Sequence, residues 1–317
     1  MGVRNVIVTS RSFGKADPAP LEDLAAAGIT VVRATVTHDR EELESLLRTA
    51  EAWIAGTAPI PADLLELAPA LKVIARYGVG IDGVPLAAAT RHGIWVTNTP
   101  GANSDSVADL TVALMLDAIR HVTHGSLRVR DGDWGALSGR ELGALTIGIF
   151  GFGRIGRGVA RRVAAFGARV LATDPQVSDA DFELVEPEQL VTECDVITLH
   201  LPGGTVLVDK DWIGRVRPGT VLVNTARADL VDEDAVAEAL TSGRLACYAC
   251  DMLSGEHGAM PASPLMDEQY ASRTIITPHL GAQTAEAVAR MGEIATSNVL
   301  AALAGRTPPN PVNAPWR

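Results

Sequence analysis

Residues 146 to 174 constrain the fold more than any other stretch of this chain. The run Thr146-Ile147-Gly148-Ile149-Phe150 has the length and β-branched content of a buried parallel strand. It passes at once into Gly151-Phe152-Gly153-Arg154-Ile155-Gly156. In such a turn the first glycine permits the tight bend, the second lets the backbone approach a pyrophosphate, and the third lets the next helix pack on the strand. Apolar residues at 155, 159, 160, 163 and 166 follow at helical spacing, so free N–H groups and a positive dipole end face the phosphates. Gly167 stops the helix, residues 168 to 173 form a second strand, and Asp174 stands at its end, 18 residues after Gly156. A carboxylate there accepts both ribose hydroxyls of NAD and repels the extra phosphate of NADP, and Pro175-Gln176 bring no arginine to hold one. Strand, glycines, helix, strand and acid in register predict a dinucleotide-binding βαβ unit.

The rest of the chain supplies the elements for a larger α/β architecture. Strands are expected at 3–9, 29–33, 52–55, 71–76 and 94–96, with helices at about 20–27, 39–49, 61–67 and 85–92 between them. That alternation predicts a parallel, doubly wound sheet. Residues 98 to 104 read as a crossover, with Asn103 or Ser104 capping a long helix from Asp105 to about His124. Residues 125 to 144 read as irregular, an arm whose Trp134 could anchor a partner subunit. After the nucleotide unit come strands at 195–199, 220–223 and 245–249, a helix from Asp232 to Leu240, and Ile275-Ile276-Thr277. A final helix at about 282–304 carries the chain back to the first domain.

Charge and composition narrow the partners. A formal net charge of −11 disfavours nucleic acid and acidic membrane, and the arginines at 154 to 162 read as the solvated face of the nucleotide helix. No window reaches the roughly 18 apolar residues of a membrane span, and the first residues lack the apolar core of a signal peptide. A cytoplasmic protein is expected. The three cysteines form no disulfide framework, and Cys247 and Cys250 sit in a buried-strand pattern without a second ligand pair. His121 and His124, one turn apart on the predicted helix, have no third ligand, so no metal site is expected.

Strand ends place the chemistry. Ligands bind beyond the carboxyl ends of strands in open α/β sheets, and there lie His200-Leu201-Pro202, Asn224-Thr225-Ala226-Arg227, Asp251 with Glu256, and Pro278-His279-Leu280-Gly281. Reducing a 2-oxo acid needs a proton at the carbonyl oxygen as hydride arrives. A histidine of near-neutral pKa supplies it, and a neighbouring carboxylate favours its charged form. A guanidinium grips carboxylate and carbonyl together. Arg227, Glu256 and His279 are therefore the catalytic candidates. The glycines of Tyr77-Gly78-Val79-Gly80 leave backbone N–H groups free to face an anion, and Arg11, Ser12 and Lys15 follow the first strand, where they could hold a distal anionic group.

These stretches together resemble the D-isomer-specific 2-hydroxyacid dehydrogenases over nearly the whole length: residues 76–82, the GFGRIG loop with Asp174, residues 199–202 and 224–227, Asp251 followed five residues later by Glu256, and residues 277–281. Residues 98–104 are most similar to the phosphoglycerate dehydrogenase branch. The resemblance implies a Rossmann NAD-binding domain (100–281) inserted into a flavodoxin-like substrate domain (1–99 and 282–317), both doubly wound parallel sheets. It implies Arg227 as substrate anchor, Glu256 paired with His279, and His279 as proton donor or acceptor. NAD would meet Gly151, Gly153, Arg154, Ile155, Gly156, Asp174, His200, Pro202, Thr225, Ala226, Asp251 and Gly281, with Asp251 at the nicotinamide amide. The substrate would meet Tyr77, Gly78, Val79, Gly80 and Asn103. It also implies a homodimer paired through the long helix and the Trp134 arm, and no serine-sensing C-terminal domain is expected.

Two departures stand out. Ala228-Asp229 stand where the family often has glycine and a small or polar residue, which bears on substrate identity, and Leu201-Pro202-Gly203-Gly204-Thr205-Val206 replace a more polar nucleotide-side loop. The surroundings of Asp251 and Glu256 also lack the family's usual acidic, proline-containing sequence. The expected reaction is hydride transfer between NAD and a small D-2-hydroxy or 2-oxo acid, which a phosphate or phosphonate could extend. The alternatives are a related-branch oxidation of an inorganic anion such as phosphite, and a non-catalytic NAD(H)-sensing protein of the corepressor type.

Overall fold

The computed structural model describes residues 4–255 and 262–315, so Glu256 lies outside the described residues. The chain divides into two compact units, Met1–Asn103 with Ala282–Arg317, and Ser104–Gly281.

The first unit begins with β1 (Arg4–Val8), α1 (Ala19–Ala26), β2 (Ile29–Arg33), α2 (Arg40–Leu47) and β3 (Ala50–Ala55). It continues with β4 (Val73–Arg76), α3 (Leu86–Arg91) and β5 (Trp95–Thr97). Among the described residues its sheet is five-stranded, in the order β2-β1-β3-β4-β5 with every pairing parallel, the flavodoxin-type order. Period-2 alternation divides the core: Val6, Val8, Ile54 and Val73 enter one apolar cluster, Ile7, Trp53 and Ile74 the other. The chain's last helix, Ala285–Leu303, buries Val288, Met291, Ala295 and Val299 against the first cluster, the spacing of one helical face. The segment expected as a helix at 61–67 is a 3-10 helix, Ala62–Leu67, entered from Pro61.

The second unit carries α4 (Ser104–Arg120), α5 (Val122–Arg130), β6 (Thr146–Phe150), α6 (Arg154–Ala165), β7 (Arg169–Thr173), β8 (Glu183–Leu184) and α7 (Pro187–Glu193). Then come β9 (Val196–Leu199), α8 (Lys210–Arg215), β10 (Thr220–Asn224), α9 (Glu233–Ser242), β11 (Leu245–Cys250) and β12 (Thr274–Ile276), and the chain's last helix is α10. The sheet order is β12-β11-β10-β9-β6-β7-β8. Counted from β6, this is the dinucleotide-binding order 3-2-1-4-5-6 extended by one strand. Its two faces are again separated by alternation, with Val221, Val223 and Cys247 in one cluster and Leu222, Tyr248 and Cys250 in the other. The two cysteines of the C-x-x-C therefore point to opposite faces of β11, and burial pushes the Cys247 thiol up to about 12.

The expected single helix from Asp105 to His124 is two helices. His121 adopts a left-handed conformation with φ of 57° between α4 and α5. Asp117 makes the break: its backbone carbonyl accepts from His121 N–H at 2.7 Å and its side chain from Thr123 N–H at 2.8 Å. His121 and His124 thus do not share one helix face, and residues 125 to 130, expected as irregular, are helical. The arginines of α6 are not merely solvated either. Arg162 bonds Asp105 and Asp109 of α4, and Arg157 lies 4.8 Å over the Phe152 ring. No helix among the described residues is long and apolar enough to cross a membrane.

Candidate active site

Within each unit all strands run parallel, so their carboxyl ends share one rim. In the second unit the rim begins at the glycine turn. Gly151 has φ of 89°, and a Cβ there would lie 2.4 Å from the His200 carbonyl oxygen. A Cβ on Gly156 would lie 2.1 Å from the Gly151 carbonyl oxygen. At Gly153 a Cβ would meet nothing within 4 Å, so this glycine faces open space. Gly153 begins α6 without any side-chain cap, which leaves first-turn N–H groups beside Arg154 and Ile155 for an anion. Asp174 is drawn into the same turn: its carboxylate accepts from Phe152 N–H at 2.7 Å and from Gln176 N–H at 2.8 Å. Each oxygen keeps a lone pair for a ribose hydroxyl. These residues fit NAD.

His200 follows β9. Its Nε2 pairs with Thr198 Oγ1 at 3.1 Å, whereas its Nδ1 is shielded from solvent with no hydrogen-bond partner among the described residues. Burial drives its pKa down to about 3, so the imidazole is neutral. Pro202 is exposed two residues on. The Thr225 hydroxyl is engaged within the fold. Thr111 Oγ1 donates to the Val107 carbonyl at 2.8 Å, and Thr225 Oγ1 lies 2.8 Å from Thr111 Oγ1. Thr111 has one proton, so the Thr225 hydroxyl donates to it and its own proton is spent inside the fold.

The ends of β10, β11 and β12 form a continuous rail. Asp251 N–H donates to the Asn224 carbonyl at 3.1 Å, and His279 N–H donates to the Asp251 carbonyl at 2.9 Å. The segments carrying Arg227, Asp251 and His279 are thereby locked side by side. Asn224, fully buried, shapes the first of them: its Oδ1 accepts from Ala226 N–H at 3.0 Å and its Nδ2 donates to the Arg227 carbonyl at 2.7 Å. Arg227, half-buried, donates from Nη1 to the Ala226 carbonyl at 2.6 Å.

Asp251 shapes the last. Its carboxylate accepts from Thr277 Oγ1 at 2.6 Å, Leu280 N–H at 2.7 Å and Gly281 N–H at 2.7 Å. Burial pushes its pKa up, against the pull of these bonds. Asp251 therefore already organises the loop that holds His279, in addition to whatever it offers a nicotinamide. His279 is held at φ of 53°, a conformation an L-residue adopts only when its surroundings impose it. Gly281 is buried, and a Cβ there would lie 3.0 Å from Asp251 Oδ2.

In the first unit the loop after β4 leaves backbone N–H groups without an acceptor among the described residues. The Gly78 carbonyl accepts from Thr99 N–H at 2.9 Å, that of Val79 from Asn98 Nδ2 at 2.8 Å, and that of Gly80 from Arg76 Nε at 3.1 Å. Every carbonyl is tied from behind, and among the described residues no acceptor takes the N–H of Val79 or Gly80. Tyr77 is not available in the same way: its hydroxyl is buried, donates to the Val288 carbonyl at 2.8 Å, and is pushed up to about 12 by burial. Asn103 caps nothing, because its buried Oδ1 has no partner among the described residues. Arg11 and Lys15 are exposed on the loop after β1. Thr111 carries no signal in the sequence, and Asn98, Arg76 and Asn224 stand there within motifs without a role of their own. The signal available for Asn224 was a polar residue at the end of an apolar strand.

Fold and rim together define an NAD-binding α/β protein. Its sequence agrees: the profile of the D-isomer specific 2-hydroxyacid dehydrogenase NAD binding domain matches residues 112–281. The chain belongs to the D-isomer-specific 2-hydroxyacid dehydrogenase family. Over 95% of its length it is 38% identical to a D-3-phosphoglycerate dehydrogenase of Mycobacterium bovis, of which it covers 60%. It is 35% identical over 80% of its length to a hydroxypyruvate reductase of Thermotoga maritima, covering 85% of that protein. The structure of a D-lactate dehydrogenase from Aquifex aeolicus complexed with NAD and lactic acid superposes with a TM-score of 0.87 at 27% identity, over 99% of this chain and all of that one. The chain spans about three fifths of the length of the phosphoglycerate dehydrogenases it matches.

Proposed function

We propose that this protein is an NAD-dependent D-2-hydroxyacid dehydrogenase that interconverts a small 2-hydroxy acid and its 2-oxo acid. The observation that carries the reading is the backbone rail from Asn224 through Asp251 to His279, which holds a guanidinium segment and an imidazole segment together on the rim that bears the glycine turn. NAD, when bound, accepts or returns the hydride. Arg227 grips the substrate carboxylate and carbonyl, each charge-assisted hydrogen bond contributing about 1.5–3 kcal/mol. His279 delivers the proton to the carbonyl oxygen in reduction and removes it in oxidation, an acid–base step of about 10²–10⁴-fold. Glu256 stabilises the charged imidazole. The free N–H groups of Val79 and Gly80 receive the substrate carboxylate, and Arg11 and Lys15 receive an anionic group at the other end of the substrate.

The names of the relatives set the test. Purified protein with NADH is offered phosphohydroxypyruvate, hydroxypyruvate, glyoxylate and pyruvate, and absorbance of the reduced coenzyme is followed. Turnover that is lost in H279A, with NADH affinity retained, supports the reading. Silence across the panel with NADH still bound overturns it and favours a nucleotide-sensing role.

We further propose that the working form is a homodimer. The support is α5, which buries none of its residues, and the apolar side chains Val122, Leu127 and Trp134 exposed on and after it, Trp134 at 82%. Light scattering of W134E distinguishes the two states: a monomer is expected, and an unchanged mass refutes the assignment.

A further inference from the structure

The two sequence departures at 203–204 and 228–229 meet in the structure. Gly204 N–H donates to Asp229 Oδ2 at 2.7 Å. A Cβ on Gly203 would lie 2.5 and 2.9 Å from the two oxygens of the same carboxylate, and 3.1 Å from Arg227 Cγ. A side chain at 203 would press on the Asp229 carboxylate and the Arg227 stem, so the carboxylate would have to leave its place. Gly204 itself takes φ of 105°, which side chains disfavour. Further on, Leu207 N–H and Val208 N–H both donate to the Leu230 carbonyl at 2.9 Å, and Asp232 N–H returns to the Val208 carbonyl at 2.9 Å. Residues 203–208 thus run beside 229–232 as one strip, with the Asp229 carboxylate fastening its leading end.

We infer that Asp229 is a positioning residue for Arg227. The main chain of Arg227 is fixed by Asn224, and its Cγ is walled by the Gly203 turn. That turn stays in place because Asp229 holds Gly204. The clasp restricts the rotamers of the arginine stem, so less entropy is lost when the guanidinium engages a carboxylate. The two departures act together: the carboxylate at 229 stands where a side chain at 203 would begin, and it captures the amide of 204.

The inference rests on Arg227 being the substrate anchor, so the experiment tests both. Steady-state kinetics with saturating NADH and varied 2-oxo acid from the panel above are compared for wild type, R227K, D229A, D229N, G203A and the D229A/G203A pair. Hydrogen–deuterium exchange follows the Gly204 amide. D229A is expected to raise KM about fivefold, the net worth of one ordinary hydrogen bond, to leave NADH affinity within about twofold, and to speed Gly204 exchange. D229N keeps an acceptor for the amide and is expected to stay near wild type. G203A is expected to match D229A and to add little to it, because its methyl fits once the carboxylate is gone. An R227K enzyme with unchanged KM overturns the anchor reading and this inference with it. An R227K defect without a D229A defect overturns the inference alone, as does a D229N as impaired as D229A, or a D229A whose KM, NADH affinity and melting temperature all move together.

Discussion

Asp251→Ala is the substitution whose consequences the structure fixes most closely. The wild-type carboxylate accepts three hydrogen bonds from residues 277 to 281. Thr277 Oγ1 also lies 3.3 Å from the Cys250 carbonyl and keeps that partner. The N–H groups of Leu280 and Gly281 lose theirs, at about 1–3 kcal/mol each. Relief from burying a carboxylate whose pKa burial has raised offsets part of this, so the variant is expected to lose about 2–4 kcal/mol. For a unit of this size that is a fall in melting temperature of roughly 5–15 °C. The left-handed conformation of His279 costs about 1–2 kcal/mol and is imposed by this loop, so the imidazole is expected to drift. A misplacement of about 1 Å at a reacting group lowers turnover by about a hundredfold. Asp251→Asn keeps one oxygen for two of the donors but turns its N–H₂ toward a third N–H, so it falls between Ala and wild type. Thermal melts and the NADH absorbance assay read both effects. A D251A protein that melts within about 1 °C of wild type and turns over normally refutes the argument that this carboxylate builds the His279 loop.

Three further outcomes follow from the same geometry. Gly153→Ala is expected to leave the melting temperature unchanged and to weaken NADH binding, since its Cβ enters open space facing the ligand, whereas Gly156→Ala drives a methyl to within 2.1 Å of the Gly151 carbonyl oxygen and destabilises the fold; melts and fluorescence titration separate the two. His200 is neutral with its folded pKa near 3, below its unfolded value, so its contribution is complete above pH 6.5 and is lost as pH falls. Between pH 6.5 and 5 the loss is about 2 kcal/mol, and urea unfolding of H200N against wild type at the two pH values should show it only in wild type. Asp174→Ala removes the acceptor of Phe152 N–H and of Gln176 N–H as well as the repulsion of a 2′-phosphate; paired with Gln176→Arg it is expected to shift the ratio of NADPH to NADH affinity upward, and an unchanged ratio counts against Asp174 as the discriminating acid.

What was legible in the sequence is what short-range pattern controls. The strand before Gly151, the helix after it and the acid at 174 are set by alternation, glycine placement and helical spacing over some thirty residues, and they stand in the fold where those patterns require. The break at His121 was not legible, because α4 and α5 read as one continuous pattern until Asp117 is seen to bond Thr123. The employment of site residues was still less so. Thr225 and Tyr77 carry hydroxyls that a strand-end position offers to a ligand, yet each hydroxyl is used by a helix far away in sequence, α4 for one and α10 for the other. A side chain's hydrogen bonds belong to whatever the tertiary fold brings within about 3 Å, and sequence spacing carries no record of that. The reverse also holds: Asn224 gains its importance from the two bonds it makes across a three-residue turn, a local arrangement its position at the end of β10 makes available. A rim residue is therefore best assigned to a ligand only after its bonds within the fold are counted. By that count Gly153, Asp174, Val79 and Gly80 retain capacity for a ligand, whereas Thr225, Tyr77 and most of Asp251 are already engaged in building the surface against which one would bind.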